Sequence, residues 1–359
     1  MDLLSVCKHK SLWDRTPLVS VLILNWNGQS ILCSCLESIL QDACPHIEIL
    51  VVDNGSTDDS VSLVKQRFPQ VRVILNGANL GFSRGYNAAV PHARGKFLVF
   101  LNNDIVVKQG WLEPIVDTFL ENPKIGIISC KMLFYGTNII NSIGGYLKLC
   151  TGAGELGLGE SENSIKSNKI IEPFYASGAA LAIRREIFEL LGGFDSKMFA
   201  YGEDLDLCWR ARLAGFKIRC VPESEVYHRL SASWGLFNPR KVRLVTAHQM
   251  RCMIKCLSRI NLLFSLPLFS FFALIKGIFL SLAEKNSSYL YSIILACADN
   301  IRDRKELREM RTATQRLRVG PDHGVLRSEN FGFFDSPRKF CKIFKFLKWR
   351  GKNNTLISG

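Results

Sequence analysis

The feature that most constrains the fold is a regular alternation between apolar runs and segments with helical spacing over residues 18–104. Residues 18–24 read Leu-Val-Ser-Val-Leu-Ile-Leu, a run that is typical of a parallel strand buried on both faces. Comparable runs follow at 47–52, 71–75 and 97–101. Strands joined through helices in this way form a parallel sheet with right-handed crossovers. We therefore predict an α/β fold with a mostly parallel sheet flanked by helices.

Apolar spacing and turn residues predict the remaining elements of the first two thirds of the chain. Helices are expected over 31–40, 57–67, 82–93 and 203–213, and strands over 174–183 and 216–221. Thr57 is expected to cap the second of these helices. Residues 136–172 are rich in Gly, Asn and Ser, so we expect loops or a mobile flap there.

The chain changes character after about residue 245. Residues 262–282 are almost entirely apolar; a spanning helix needs about 20 such residues, so this run could span a membrane, form a re-entrant hairpin or lie in the interface. Residues 338–352 are basic with an apolar stripe, which is typical of an interfacial membrane helix; the alternative is a solvated basic tail. We expect an N-terminal extension over 1–17, a catalytic domain over 18–245, and a helical, basic, membrane-associating region over 246–359.

The formal net charge of +14 over 359 residues favours an anionic partner. Nucleic acid, the pyrophosphate of a sugar nucleotide and an anionic membrane surface all fit this charge. Residues 1–17 lack the apolar stretch of a signal peptide. We therefore expect the protein at the cytoplasmic face of the cell membrane, peripheral or shallowly inserted, with its thiols reduced.

Several common motifs are absent. The twelve cysteines include no C-x-x-C pair, so neither a zinc knuckle nor a thioredoxin-like site is expected. The glycine-rich segment 81–87 matches neither G-x-G-x-x-G nor a Walker motif, so neither an NAD-type site nor a P-loop is supported.

Polar side chains follow three of the predicted strands at the point where each strand ends. These clusters are Asn25–Asn27, Asp53–Ser56 and Asn102–Asp104, and ligands of open α/β sheets bind at such ends. A carboxylate such as Asp104 can hold a hard divalent cation, and the neutral imidazole of His228 can add a second ligand. The alternatives are an Asx turn without a ligand and a structural histidine.

Three carboxylates, Glu203, Asp204 and Asp206, open the helix predicted over 203–213. A carboxylate at this position can act as a general base toward an acceptor hydroxyl, and its neighbours can raise its pKa. The alternative is ordinary acidic charge at a helix N-terminus, with Arg210 as an ion-pair partner.

Five sequence blocks occur in a fixed order over residues 19–235. They are Val19–Gly28, Val51–Asp58, Asn79–Asn87, Leu101–Asp104 and Gly192–Arg210. Together they resemble the signature blocks of glycosyltransferase family 2, and most closely its rhamnosyltransferase-like branch. The resemblance implies a GT-A fold, which is Rossmann-like, an inverting single displacement, and a divalent cation, Mg²⁺ or Mn²⁺.

The resemblance also implies roles for individual residues. Asp104 would be the metal ligand of the D-x-D-type motif, with His228 as a second ligand, although this motif keeps a carboxylate only at its last position. Asp204 would be the catalytic base, and Glu203 would help to position the acceptor. The residues implied in binding the nucleotide or the donor are Asn25, Asn27, Asp53, Ser56, Arg84, Asn87, Asn102 and Asn103.

These observations predict an inverting glycosyltransferase that moves rhamnose or a similar hexose from a nucleotide-sugar donor. The expected acceptor is a hydroxyl of a glycan or lipid-linked acceptor in cell-surface polysaccharide synthesis, and an anionic membrane surface is an expected partner. One alternative is a nucleotidyltransferase that forms the nucleotide sugar, but residues 25–28 are uncharged where its basic loop would lie. The other is a basic nucleic-acid-binding protein, but the basic residues concentrate beside the apolar C-terminal run instead of interleaving with surface aromatics.

Overall fold

A nine-stranded sheet flanked by helices forms the centre of the protein. The computed structural model describes residues 18–42, 46–165, 171–229, 238–325 and 331–332. The expected N-terminal extension over 1–17 and the basic segment over 338–352 therefore lie outside the described residues.

The first four strands form the parallel sheet that the sequence predicts. They are β1 (Val19–Asn25), β2 (Ile47–Asp53), β3 (Arg72–Leu75) and β4 (Phe97–Asn102). Their order is β3-β2-β1-β4, and each neighbouring pair is parallel. Within β1, Leu22 packs in one apolar layer, whereas Val21 and Ile23 pack in the layer on the other face. This two-sided burial explains the continuous aliphatic run, because neither face of the strand meets water.

Three helices connect these strands, namely α1 (Gln29–Leu40), α2 (Ser60–Arg67) and α3 (Gly81–Ala89). The start predicted for the second helix is wrong, because the Thr57 N–H donates to Asn27 Oδ1 at 2.8 Å and the helix begins only at Ser60. The third helix is shorter than predicted. Its expected last turn is a 3₁₀ turn over Val90–His92, where Pro91 lacks the N–H that an α-helix would use.

The rest of the sheet mixes parallel and antiparallel strands. The further elements are β5 (Ile105–Val107), α4 (Glu113–Glu121), β6 (Ile125–Phe134), β7 (Ile140–Ser142), β8 (Gly145–Lys148), β9 (Gly152–Glu155), β10 (Ala180–Arg184), α5 (Arg185–Leu190), α6 (Glu203–Leu213) and β11 (Lys217–His228). Strand β10 is antiparallel to β4 and β6, while β11 is parallel to β6 and antiparallel to β5. The helix predicted over 203–213 is confirmed. The strand predicted over 174–183 is confined to its last part, and the one predicted over 216–221 extends to His228.

The prediction of loops or a flap over residues 136–172 is wrong for much of that segment. Strand β7 pairs with β6, and β8 pairs with β9 as an antiparallel hairpin. The glycines there make room for aromatic rings: a Cβ on Gly145 would lie 1.9 Å from Tyr175 Cε1, and one on Gly154 would lie 2.6 Å from the Tyr146 hydroxyl. Close packing of aromatic rings against the hairpin therefore accounts for Gly145 and Gly154, which lie within regular structure.

The C-terminal part is helical, as predicted. Its elements are α7 (Pro239–Cys256), α8 (Arg259–Ala283), α9 (Ser288–Arg302), α10 (Arg304–Arg316), the short α11 (Asp322–Val325) and a two-residue strand, β12 (Phe331–Gly332). Met250 and Met253 of α7 belong to the same apolar cluster as Leu22 of the sheet. The expected domain boundary at residue 245 therefore falls inside a helix that packs on the catalytic domain.

Candidate active site

The carboxyl ends of β1 and β2 meet in a buried polar cluster. Asn25 Nδ2 donates to Asp53 Oδ1 at 3.2 Å and to Ser60 Oγ at 2.9 Å. The other carboxylate oxygen of Asp53 accepts the backbone N–H groups of Gly55 and Ser56, both at 3.0 Å. The parallel register that sets Asn25 beside Asp53 thus gathers three predicted nucleotide-binding residues, whose side chains shape the loop after β2.

Asn27 lies exposed at the rim of this cluster. Its φ of 50° is left-handed, a conformation that asparagine adopts more readily than most residues. Its N–H donates to Ser56 Oγ at 2.9 Å, so it ties the turn after β1 to the loop after β2. A cleft of about 600 Å³ opens between α1 and α2 beside Asn27. No other predicted site residue lines that cleft, so it is separate from the predicted catalytic residues.

Two predicted donor-binding amides lie at the end of β4. Asn103 Nδ2 donates to Asn25 Oδ1 at 3.0 Å and joins the ends of β4 and β1. Gly28 lies against this contact, because a Cβ there would come within 2.3 Å of both side chains. Asn102 is half-buried, and its backbone oxygen accepts from Cys35 Sγ. Any side chain at position 28 would therefore disturb the junction of the two strands.

The two predicted metal ligands lie side by side. Strand β5 pairs with β11 so that Ile105 lies opposite His228, and this register brings the preceding residue, Asp104, to the imidazole. His228 Nε2 lies 3.3 Å from Asp104 Oδ1, and both side chains are almost completely buried. The positions of Asp104 and His228 in the sequence do not predict this contact, because it depends on the antiparallel pairing of β5 with β11.

Asn141, which sequence analysis missed, orients the His228 ring. Its Oδ1 lies 2.9 Å from His228 Nδ1. An amide oxygen can only accept, so Nδ1 carries a proton and donates it to Asn141. In the neutral ring the lone pair of Nε2 then faces the Asp104 carboxylate. Two acceptors that face each other in this way are stable when a cation lies between them.

The residues present fit a divalent cation that is shared with a substrate. Asp104 supplies a hard carboxylate oxygen, and His228 supplies the nitrogen of a common metal-ligating side chain. Across the described ranges, no group of three or more His, Cys, Asp or Glu side chains is arranged to hold a metal ion. Two protein ligands suffice for a cation of this kind when substrate phosphates supply other ligands.

A left-handed turn sets the start of α6. Tyr201 and Gly202 both have positive φ, at 69° and 92°, and Glu203 and Asp204 follow directly. The Asp204 carboxylate accepts the Gly178 N–H at 2.9 Å and the Leu205 N–H at 2.7 Å. These backbone donors fix the direction of the predicted base.

Burial affects the two predicted catalytic carboxyl groups unequally. It raises the pKa of Asp204, and the two backbone N–H donors counteract part of that rise. Burial raises the pKa of Glu203 well above its usual range, and the negative charge of Asp204 adds to the effect. Glu203 Oε2 has no hydrogen-bond partner among the described residues. Asp204 is therefore the member of the pair that ionises first, as a general base must.

A third carboxyl group, Glu155 on β9, lies near this pair and was missed by sequence analysis. Its oxygens accept the hydroxyl groups of Tyr175, at 3.0 Å, and Ser142. Burial raises the pKa of Glu155 to about 7, and the negative charge of Asp204 contributes. No sequence signal could have found it, because Glu155 lies on a hairpin where the sequence predicts loops, and its partners lie on β7 and ahead of β10.

Two predicted donor-binding residues of α3 have different surroundings. Asn87 Nδ2 donates to the Phe194 carbonyl at 2.8 Å, and its Oδ1 accepts the Phe194 N–H at 2.9 Å. Its amide thus ties α3 to the segment that leads to α6. Arg84 is exposed. The structure brings neither side chain into hydrogen-bonding contact with Asp104 or Asp204.

Comparisons with known proteins bear on the family and the fold of this chain. A family model described as glycosyl transferase family 2 matches residues 20–191. The chain is 32% identical over 240 residues to an uncharacterized protein of Sinorhizobium fredii, y4gI, a match that covers 63% of this chain and 26% of that protein. It is 27% identical over 210 residues to the N-acetylglucosaminyl-diphospho-decaprenol L-rhamnosyltransferase of Mycobacterium tuberculosis, covering 53% of this chain and 68% of that protein.

A solved structure shares the fold. The crystal structure of GalNAc-T7 with UDP, GalNAc and Mn²⁺ matches with a TM-score of 0.57 and 18% identity, over 80% of this chain and 58% of that chain. At this identity the similarity concerns the fold alone, and it agrees with the GT-A fold that the five sequence blocks imply. The chain spans about a quarter of the Sinorhizobium protein, at 26% of its length.

Proposed function

The chain carries a glycosyltransferase family 2 domain over residues 20–191, and from this premise we propose that it transfers a sugar from a nucleotide-sugar donor to a hydroxyl group, with inversion at the anomeric carbon. The observation that carries the proposal is the Asp104–His228 pair, 3.3 Å apart at the ends of β4 and β11. Ligands of such sheets bind outside the carboxyl ends of the strands, and this pair lies at that edge.

Asp104 and His228 would hold Mg²⁺ or Mn²⁺ at the diphosphate of the donor. When bound, the cation offsets the charge that develops on the departing nucleoside diphosphate. Asn141 Oδ1, 2.9 Å from His228 Nδ1, would accept the proton of that nitrogen and so leave Nε2 to the cation. Because the D-x-D-type motif keeps a carboxylate only at its last position, His228 would be the more important ligand.

Asp204 would act as the general base. Its carboxylate, held by the N–H groups of Gly178 and Leu205, takes the proton of the acceptor hydroxyl. The acceptor oxygen attacks the anomeric carbon on the face opposite the leaving group, so a single displacement inverts the configuration. Glu203, whose pKa is raised well above its usual range, keeps its proton and can donate a hydrogen bond to the acceptor.

We propose rhamnose or a similar hexose as the donor sugar and a glycan or lipid-linked molecule as the acceptor. The support is the Mycobacterium tuberculosis relative, whose name specifies an L-rhamnosyltransferase that acts on N-acetylglucosaminyl-diphospho-decaprenol. The product would enter the synthesis of a cell-surface polysaccharide. For the nucleotide and the cation, the support is the GalNAc-T7 crystal structure, which contains UDP and Mn²⁺.

The helix α8 would rest on the cytoplasmic face of the cell membrane. It has 25 residues, and its most apolar 18-residue stretch has a mean hydropathy of 2.0 and is 22% buried, so by length and composition it could cross a membrane. One stripe of it is buried within the protein, formed by Ser265, Phe269, Ala273, Gly277 and Leu280. The opposite face carries exposed large apolar side chains, including Leu263, Phe264, Phe271, Ile275, Phe279 and Leu282. A helix with one packed and one exposed apolar face is suited to shallow insertion, and the net charge of +14 suits an anionic surface.

The test is a screen of nucleotide sugars, in which release of free nucleoside diphosphate is followed with and without Mg²⁺ or Mn²⁺ and with a lipid-linked acceptor. We expect acceptor-dependent release from at least one donor, stimulated by the metal. Absence of release from every donor, with binding of the nucleotides also absent, would contradict the proposal.

A further inference from the structure

A buried lysine joins helix α7 to both ends of the segment that presents Asp204. Lys255 has no exposed surface, and its Nζ lies 2.6 Å from Asp195 Oδ2 and 2.5 Å from Asp206 Oδ1. Asp195 precedes the loop that leads to α6, and Asp206 lies in the first turn of α6. One cation on α7 therefore holds the chain on either side of Asp204.

Each of these two carboxylates also has an arginine partner. Arg251 Nε lies 2.6 Å from Asp195 Oδ2, and Arg210 Nε lies 2.8 Å from Asp206 Oδ2. Burial alone would lower the pKa of Lys255, but the charges of Asp206 and Asp195 outweigh it and raise that pKa. The lysine therefore stays charged, and each carboxylate keeps an arginine if the lysine is replaced.

The chain between the two carboxylates contains a strained turn. Tyr201 is a non-glycine residue in the left-handed region, at a φ of 69°, and such a residue persists only where its surroundings over-determine it. Helix α7 supplies those surroundings, because His248 Nδ1 lies 2.5 Å from the Tyr201 carbonyl oxygen and Cys252 Sγ lies 3.8 Å from that of Gly202. The contacts of α7 thus fix the turn from which Asp204 projects.

We propose that Lys255 and His248 are positioning residues for the transfer reaction, which from α7 hold the turn that directs the Asp204 carboxylate. This inference rests on the proposed function, since it concerns the same site. Neither side chain needs to touch a substrate. A misplacement of about 1 Å can cost about 10²-fold in rate, so the loss of either contact acts on turnover more than on donor binding.

If Lys255 and His248 act in this way, the C-terminal helices are part of the catalytic unit and are not a separable membrane tail. A truncation near residue 245 would remove both positioning side chains together with the apolar helix α8. Such a truncated chain would gain solubility and lose transfer activity at the same time.

The test compares two variants of the full chain that each lose a cation from α7. Lys255→Met removes the buried charge and keeps most of the side-chain length. Arg243→Met is the matched control, because Arg243 pairs with Asp299 of α9 at 2.7 Å and is partly exposed. For Lys255→Met we expect kcat to fall by about 10²-fold with the KM for the donor unchanged, and faster hydrogen exchange over residues 196–204. For Arg243→Met we expect kcat and exchange to match the wild type.

A folded Lys255→Met protein with wild-type kcat and wild-type exchange would overturn the proposal. His248→Ala repeats the test without removing a buried ammonium group, so it tests the proposal if Lys255→Met does not fold. We expect His248→Ala to lower kcat and to speed exchange over the same residues; wild-type values of both would overturn the proposal. A wild-type chain that binds and turns over no nucleotide sugar would contradict the proposed function, and the exchange measurement would still test the positioning role.

Discussion

Asn141 Oδ1 lies 2.9 Å from His228 Nδ1 and so fixes which nitrogen of the ring faces Asp104. A metal-ligating histidine usually donates its other N–H to a partner of this kind, and loss of the partner typically costs about 10- to 100-fold in metal affinity. We therefore expect Asn141, which lies outside the sequence motifs, to affect metal-dependent donor binding measurably.

Asn141→Ala should raise the concentration of Mn²⁺ needed for half-maximal donor binding by about 10- to 100-fold. The measurement is calorimetric titration of the nucleoside diphosphate at a series of Mn²⁺ concentrations. Asn122→Ala is the control, since Asn122 lies in a turn before β6, where its side chain accepts the Lys124 N–H. An Asn141→Ala protein with the same Mn²⁺ dependence as Asn122→Ala would remove Asn141 from this role.

The turnover number should fall as the pH drops through the raised pKa of Asp204. A general base works only when ionised, so activity is present above its pKa and lost below it. Because burial raises that pKa, the acidic limb should lie above the usual range of an aspartate. The measurement is the pH dependence of kcat at saturating donor, between about pH 4 and pH 8.

The β8–β9 hairpin is an element that the sequence did not predict. Continuous aliphatic runs predicted β1 to β4 because burial on both faces leaves a local signature in the sequence. The glycines of 136–172 predict loops. In the structure, a glycine is required at position 145 because the Tyr175 ring, from a different part of the chain, packs against its backbone. Asn141 and Glu155 were missed for the same reason, since each contacts partners that lie far apart in sequence or in other elements, which only the folded protein brings near. Likewise, the boundary at 245 could not take account of Lys255, whose partners Asp195 and Asp206 lie far earlier in the chain.

Gly145→Ala should destabilise the protein by about 1–3 kcal/mol, the usual cost of overpacking. Its new Cβ would lie 1.9 Å from Tyr175 Cε1, a ring that is buried and cannot move freely. Gly324→Ala is the matched control, because nothing lies within 4 Å of a Cβ at that position. The measurement is the free energy of unfolding in urea, and equal values for the two variants would contradict the packing explanation.

The wild-type chain should sediment with vesicles that contain anionic lipid, and less so at high salt. Replacement of Phe264 and Phe271 by Glu should weaken this binding by more than about tenfold, since burial of one such side chain is worth about 1.5–3 kcal/mol. Both side chains are exposed on α8, at 69% and 57%. Leu190→Glu is the control, because Leu190 is 56% exposed on α5. Wild-type protein that stays in the supernatant at low salt would contradict the membrane proposal.

The central claim is that Asp204 removes the proton from the acceptor in an inverting transfer. The most direct measurement is acceptor-dependent nucleoside diphosphate release by Asp204→Asn, beside calorimetric binding of the donor to the same protein. Asp42→Asn is the control for loss of a carboxylate, because Asp42 accepts the Gly110 N–H at a distant turn. The account predicts that Asp204→Asn binds the donor as the wild type does and loses at least about 10²-fold of its turnover, while Asp42→Asn keeps both. Wild-type turnover by Asp204→Asn would contradict it.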